Sequence, residues 1–350
     1  MLIKELIMME RNQTIDAIKG ILIVLVIFGH SLQYGFGPDF LKSGDYYDDY
    51  LFRIIYSFHM PLFMFISGYF FYFSNQKELK KVIYSKIIYI GLPFIVYYII
   101  LYFVWFYSYQ IEIFYLSSFI GKIKSELWFL SSLLLNSLIV SLTTHFLKEP
   151  YCISILIILG ILMLFIPDEI LPSMHKYMYT FYVLAYYYKA KRIKLSGKIK
   201  RTYVMLPLTA LFILGLSIYD SDIMIYEGGY SVVKNGVLFF EQLKTNVIRF
   251  CICMISSCWF IGIAYLILPR LHLASSFFSV LGKQTLAIYG IQTILFVLLS
   301  GIMQKYNINI GHYYTWSLIL SFVIFTICKF LIYIINRNRL GRLLLLGTKS

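Results

Sequence analysis

Two histidines stand where an apolar, lipid-facing sequence would hold none. His30 lies near the end of the apolar run Ile15–Tyr34, and His59 lies inside the next, Leu51–Phe73, in Phe58-His-Met-Pro-Leu-Phe63. Ionisable groups at such depth are costly and normally face an interior cavity or a partner. A neutral imidazole is a competent base near neutral pH, so the pair suits proton transfer to or from a bound hydroxyl. Spans adjacent in sequence usually pack side by side, which would bring both imidazoles into one cavity. A hydrogen-bonded histidine packed between helices would look the same, and spacing alone does not separate the two readings. Pro61 cannot donate to the Ser57 carbonyl and disfavours helical geometry at Met60, so a kink beside His59 is expected there.

Charged residues gather at the other end of the same spans. Asp16 and Lys19 are three apart and can pair along one helical face, either as a helix anchor or as part of a binding site. Lys19 and His30 are eleven apart, which puts them within about 20° of each other and ~16 Å apart on one helix. Lys80, Lys81 and Lys86 form a basic cluster at the start of the third apolar run. It reads as a phosphate site or as the basic flank of a cytoplasmic helix end. Trp128 opens the fourth run and is by default an interfacial anchor. His145, His175, His272 and His312 lie at span ends or in loops and read as bystanders.

The elements that must position these residues are membrane helices. The chain has 350 residues, 60% of them hydrophobic and 19% aromatic, with a mean hydropathy of +0.76. Apolar runs of spanning length recur from end to end. They predict an all-α, polytopic transmembrane helix bundle of about ten spans. After the first two come Lys86–Tyr107, Leu127–Phe146, Tyr151–Ile166, Tyr177–Tyr188, Tyr203–Tyr219, Asn246–Leu268, Lys283–Met303 and Tyr313–Ile335. An even count puts both termini on one side. Most of the 31 Lys and Arg, seven of them between Lys189 and Arg201, then fall on the N-terminal side, and the positive-inside rule makes the chain N-in, C-in. The net charge of +14 is thus topology and anionic-lipid contact; no nucleic acid partner is expected. Five cysteines in apolar segments offer neither a zinc spacing nor a disulfide framework, and no metal is expected. No loop is long enough for an independent core, so residues 1–350 read as one membrane domain. The start lacks a cleavage site, so the first helix should be retained. The segment after Asn336, with Arg337, Arg339 and Arg342 before Leu343–Leu346, suits a short amphipathic stretch on the inner surface.

Arg11-Asn-Gln-Thr-Ile-Asp-Ala-Ile-Lys-Gly20, followed by an apolar run ending Phe28-Gly-His30, resembles the opening of the acyltransferase-3 family of bacterial integral membrane enzymes. Phe58-His-Met-Pro-Leu-Phe-Met-Phe-Ile-Ser-Gly-Tyr69 is similar to that family's second signature. Leu127-Trp-Phe-Leu130 and Leu281-Gly-Lys-Gln-Thr-Leu-Ala-Ile-Tyr289 match two weaker ones. The resemblance runs in order through nearly the whole chain. Lys19 replaces the family's usual Arg, Gln292 stands where many members have a histidine, and the paired arginines often found before the third span are represented only by Lys80, Lys81 and Lys86. Some relatives carry a fused extracytoplasmic domain that receives the acyl group; its absence before Ser350 would mean direct transfer to the acceptor.

The resemblance implies an O-acyltransferase of the bacterial cytoplasmic membrane. It would move an acyl group, in the first instance acetyl from acetyl-CoA, to a sugar hydroxyl of a surface polysaccharide or its lipid-linked precursor. On this reading His30 is the general base or a transient acyl carrier, and His59 orients it or holds the oxyanion. Lys19, Asp16, Lys80, Lys81 and Lys86 are the candidate donor-binding residues, and Trp128 floors the acceptor site. The rival is a glycan-lipid transporter or flippase. Against it, charged groups cluster around the first two helices, and no matching pair of Gly- or Pro-broken helices recurs in the two halves.

Overall fold

The computed structural model describes residues 13–37, 44–108, 127–192, 202–233, 238–308, 311 and 314–348. Lys4, Arg11, the basic run 193–201, Lys234, His312 and Lys349 lie outside them. Among the described residues every regular element is a helix. The principal ones are α1 (Gln13–Gly35), α2 (Tyr50–Ser74), α3 (Leu79–Ser108), α4 (Trp128–Phe146), α5 (Tyr151–Met163) and α6 (Ser173–Ala190). They continue with α7 (Thr202–Ser217), α8 (Phe239–Ile267), α9 (His272–Gly282), α10 (Thr285–Tyr306) and α11 (Tyr314–Asn336). Seven of these are long and apolar enough to cross a membrane, with α5, α9 and α7 (from Tyr203) as shorter apolar helices. The Tyr- and Lys-bearing α6 belongs to neither group.

Helix α1 is the axis of the bundle. Its Ile18, Leu22, Ile23 and Ile27 are buried, and α2, α8, α9, α10 and α11 all pack against it. Helix α11 is its opposite, exposing Leu318, Ile319, Phe322 and Phe330 on one face. An apolar face of that extent suits lipid and not water. Without a hydrophobic force between helices in lipid, close approach of backbones through small residues holds such bundles together. A Cβ on Gly20 would fall on the Phe278 carbonyl, and one on Gly282 would fall on the Asp16 carbonyl. As the number rises from 278 to 282 on α9 it falls from 20 to 16 on α1, so the two helices run antiparallel in backbone contact. Gly68 brings α2 onto α6 in the same way, against the carbonyl of Tyr182.

Three features correct the reading of the sequence. Helix α9 was expected to be a connection between spans; it is instead a separate eleven-residue helix beyond the turn Leu268-Pro-Arg270. Helix α3 begins at Leu79, two turns before the expected Lys86, and changes to π-helical winding over Ile87–Gly91. Pro93 follows and has no N–H to give to the Tyr89 carbonyl, which is where such a bulge relieves the ladder. The break in α2 falls at Ser57–Phe58, between the segments Tyr50–Tyr56 and His59–Ser74. Pro61 is therefore the third residue of a fresh helix, where its missing N–H is one of the orphan donors in any case, and Met60 is helical. Beyond α11 the stretch Arg342–Leu346 winds into a π-turn, and Leu345 and Leu346 pack against the core.

Candidate functional site

The break in α2 fixes one imidazole. In an unbroken helix the Ile55 carbonyl would accept from the amide of residue 59. Here it accepts from His59 Nδ1 at 2.8 Å, with the Phe58 amide at 3.3 Å. A carbonyl can only accept, so Nδ1 carries the proton of the neutral ring and Nε2 is left bare. His30 is held in the same sense from α1. Its Nδ1 lies 2.8 Å from Gln33 Oε1, one turn further along the same helix face. Tyr56 Oη also points at Gln33 Oε1, at the long distance of 3.5 Å.

Both imidazoles face one cavity of about 120 Å³, and Trp128 lines it with them. The two histidines and the tryptophan singled out in the sequence therefore meet. Val26 and Gln33 of α1, Tyr56 and Met60 of α2, and Tyr289 and Thr293 of α10 complete the wall, with Leu127 and Tyr226 from connections between helices. Aromatic rings dominate: Tyr56 meets His59 edge-on with centroids 4.5 Å apart, Tyr226 meets Tyr56 at 5.3 Å, and His30 lies 5.5 Å from Phe296. Hydroxyls, imidazoles, the Trp128 indole N–H and the Gln33 amide are the hydrogen-bonding side chains on this wall.

Trp128 is placed by a strained turn. Leu127 has φ 49° and ψ 26°, the left-handed region that a leucine avoids. Such conformations persist where the surroundings over-determine them, often at functional sites. Behind Trp128, the Ser131 hydroxyl donates to the Trp128 carbonyl at 2.9 Å and accepts from His175 Nε2 at 2.9 Å. His175, set aside on sequence grounds as a bystander, thus buttresses the first turn of α4 without reaching the cavity. Gln292, at the position where many relatives carry histidine, points elsewhere. It is buried, its Nε2 donates to the Thr293 hydroxyl at 3.0 Å, and it is not on the wall.

The basic residues are not gathered at the cavity. Lys19 pairs with Asp16 at 3.1 Å on α1. Lys80 is exposed at the start of α3, and Lys81 is exposed and paired with Glu78 at 3.0 Å. Lys86 sits over the Phe71 ring, 4.8 Å from its centroid. No three His, Cys, Asp or Glu side chains cluster as metal ligands among the described residues.

Sequence reasoning missed Gln33, Tyr56, Tyr226, Tyr289 and Thr293. Gln33 was within reach, since a residue three beyond His30 shares its helix face. Tyr56 bears the same relation to His59, but the break at Ser57–Phe58 removed the warrant for applying it. Tyr226 sits in a connection and carries no periodic signal at all.

The wall comes from both ends of the chain, and so does the likeness to known proteins. A family model described as "Acyltransferase domain" matches residues 12–335. Two curated relatives match over short stretches. A nodulation protein, NolL, of Sinorhizobium fredii (strain NBRC 101917 / NGR234) is 47% identical over 60 residues, 17% of this chain and 16% of that protein. A protein of the same name from Mesorhizobium japonicum (strain LMG 29417 / CECT 9101 / MAFF 303099) is 47% identical over 74 residues, 21% and 18% of the two chains. The matched stretches thus span less than a fifth of either relative. No solved structure matches the chain. With the family's match running through every helix that lines the cavity, the chain belongs to the acyltransferase-3 family of integral membrane acyltransferases.

Proposed function

We propose that the chain is an O-acetyltransferase that moves an acetyl group from acetyl-CoA to a sugar hydroxyl of a surface polysaccharide or its lipid-linked precursor. The observation that carries this is the single aromatic cavity on which the bare Nε2 edges of His30 and His59 are available beside Trp128. A sugar hydroxyl is a poor nucleophile while protonated, whereas a thioester is already activated. The enzyme must bring them together, take the proton and stabilise the oxyanion. His30 Nε2 takes the proton as the hydroxyl oxygen attacks the thioester carbonyl. The tetrahedral oxyanion then collapses, the C–S bond breaks, and the coenzyme A thiolate leaves with that proton.

His59 has a narrower role than its position alone suggests. With its one proton committed to the Ile55 carbonyl, the neutral ring accepts and does not donate. It can orient the acceptor hydroxyl, while the oxyanion is met by phenol hydroxyls, for which Tyr56, Tyr226 and Tyr289 are the candidates on the wall. Size favours acetyl over longer acyl groups: a cavity of about 150 Å³ takes benzene, so 120 Å³ holds an acetyl carbonyl and one hydroxyl-bearing carbon. The sugar ring and the coenzyme must then lie largely outside it. Trp128 offers an aromatic face to the ring. Lys19 and Asp16 would line the donor's side, with Lys80, Lys81 and Lys86 as further phosphate contacts.

The chain would lie in the cytoplasmic membrane of a bacterium as a single domain, with ten spans and both termini inside. The donor would enter from the cytoplasm, and the acyl group would travel outward through the protein. Mass spectrometry of surface glycans from cells with and without the gene tests the proposal. Loss of a discrete acetyl ester is expected; loss of whole glycan from the surface would mean transport instead of acyl transfer.

A further inference from the structure

The connection between α7 and α8 sends one side chain, Tyr226, to the cavity. Tyr226 both lines it and is 36% exposed, so it stands at the mouth. It rides on a helix of four residues, Ile225–Gly228, which is too short to hold its own shape. Arg249 of α8 does the holding. Its side chain is fully buried; Nε donates to the Ile223 carbonyl, and Nη1 donates to the Gly229 carbonyl at 2.7 Å and to Asn246 Oδ1 at 2.8 Å. The two gripped carbonyls lie three residues before and three after Tyr226. Asn246 Nδ2 and Gln242 Nε2, successive turns up α8, extend the grip to the carbonyls of Tyr230 (2.8 Å) and Gly228 (3.1 Å).

A buried guanidinium is costly, and no carboxylate partner of Arg249 occurs among the described residues. Its hydrogen bonds go to the dipoles of this one loop and to a neighbour on its own helix. Nη2 has no acceptor among the described residues, and a Cβ on Gly228 would fall on the Asp222 carbonyl and stand 2.6 Å from Nη2, so the loop backbone and the guanidinium together require glycine there. The grip reaches the chemistry through rings: Tyr226 abuts Tyr56, and Tyr56 abuts His59.

We propose that Arg249 is a positioning residue of the transfer site, which through the carbonyls of Ile223 and Gly229 fixes Tyr226 at the cavity mouth as the wall on which the acceptor sugar docks. The proposal rests on reading the cavity as a site of acyl transfer. Lysine keeps the charge but cannot span both carbonyls with a rigid fork. Alanine at 228 leaves Arg249 in place but drives a methyl between its guanidinium and the Asp222 carbonyl, so the same loop is pushed off the grip from its own side. Arg249→Lys and Gly228→Ala should therefore share one phenotype.

Membranes carrying each variant are assayed with acetyl-CoA and purified surface glycan. Each is expected to raise the acceptor KM about tenfold, the scale of one lost buried hydrogen bond, with the acetyl-CoA KM unchanged. Combined with Tyr226→Ala, either should be no worse than Tyr226→Ala alone, because all three act through one side chain. Additive losses, or equal rises in both KM values, would overturn the proposal and leave Arg249 a general support. A second arm needs no activity: a Thr293→Cys reporter on the cavity wall, in a background without native cysteines, is labelled with a membrane-impermeant thiol reagent. Arg249→Lys should speed labelling about tenfold at an unchanged unfolding midpoint; an unchanged rate sinks the clamp even if no acetyl transfer is ever detected.

Discussion

Each histidine of the cavity is committed by one hydrogen bond, and that commitment decides which nitrogen can do chemistry. For His30 the partner is Gln33, so His30→Ala should lower acetyl transfer by about 10²- to 10⁴-fold, the usual worth of a general base, with expression and membrane insertion intact. Near-normal acetylation in that variant would leave His30 a structural residue. Gln33→Leu is a subtler test. It keeps the imidazole but frees its tautomer, so kcat should fall about tenfold with the acceptor KM little changed; a matched fall in affinity would mean that Gln33 binds substrate instead. At the far end of the same helix, Lys19→Arg should keep most activity and Lys19→Ala should lose most of it. Equal activity in Lys19→Ala and wild type would reduce the Asp16–Lys19 pair to a helix anchor. The histidines were legible in the sequence because apolar runs leave an imidazole no innocuous surroundings. Which nitrogen faces the cavity was not, since that depends on a helix break whose position is set by packing. The phenols were not legible either, because in a chain with 32 tyrosines no single one stands out.

Among the elements, the α1–α9 pair has the least room for change. Gly20→Ala or Gly282→Ala would drive a methyl into a carbonyl of the partner helix, and neither backbone can yield without moving its helix. A loss of about 1–3 kcal/mol is expected, read as a lower unfolding midpoint in detergent, with acetyl transfer falling in step; a midpoint equal to wild type would mean that the helices separate freely. The sequence concealed α9 for a physical reason: the eleven residues His272–Gly282 are too few for a span, and periodicity cannot tell a buried half-length helix from a loop. The turn between α5 and α6 is tied down differently. Asp168 meets Lys176 at 2.5 Å and accepts from the Tyr230 amide at 3.1 Å. Burial pushes the Asp168 carboxyl up, but the hydrogen bonds from Lys176 and Tyr230 outweigh it and hold the group below the usual carboxylate range. A carboxyl whose pKa is lower in the folded state stabilises at every pH above its unfolded value and ceases to do so as pH falls through the folded one. The unfolding midpoint should therefore be flat in this respect from neutrality down to about pH 4 and drop below it, and Asp168→Asn should remove that part of the acid dependence. An unchanged acid limb in the variant would take Asp168 out of the account.

For the molecule as a whole, orientation in the membrane decides whether the acyl group crosses it. Residues 189–201 should be cytoplasmic and residues 220–245 extracytoplasmic. Ser231 lies in the second segment but is buried, whereas Val233 and Lys191 are exposed and serve as reporters of the two sides. With Val233→Cys and Lys191→Cys placed singly in a background without native cysteines, an impermeant thiol reagent should label 233 and spare 191 in intact cells whose outer membrane, if present, is permeabilised. The reverse pattern would put His30 nearer the cytoplasm and make transfer across the membrane untenable. That the chain is a bundle of apolar helices was readable from the apolar runs, whereas the cavity was not, because its wall is drawn from residues 26 to 293 and no local stretch contains it. That spread has a consequence for biogenesis. A nascent chain that has inserted α1 and α2 already carries both imidazoles, yet it lacks Trp128, Tyr226 and the α10 side of the wall. The ribosome must deliver Thr293 before the chamber can close, so the proposed acyl transfer would become possible only late in synthesis.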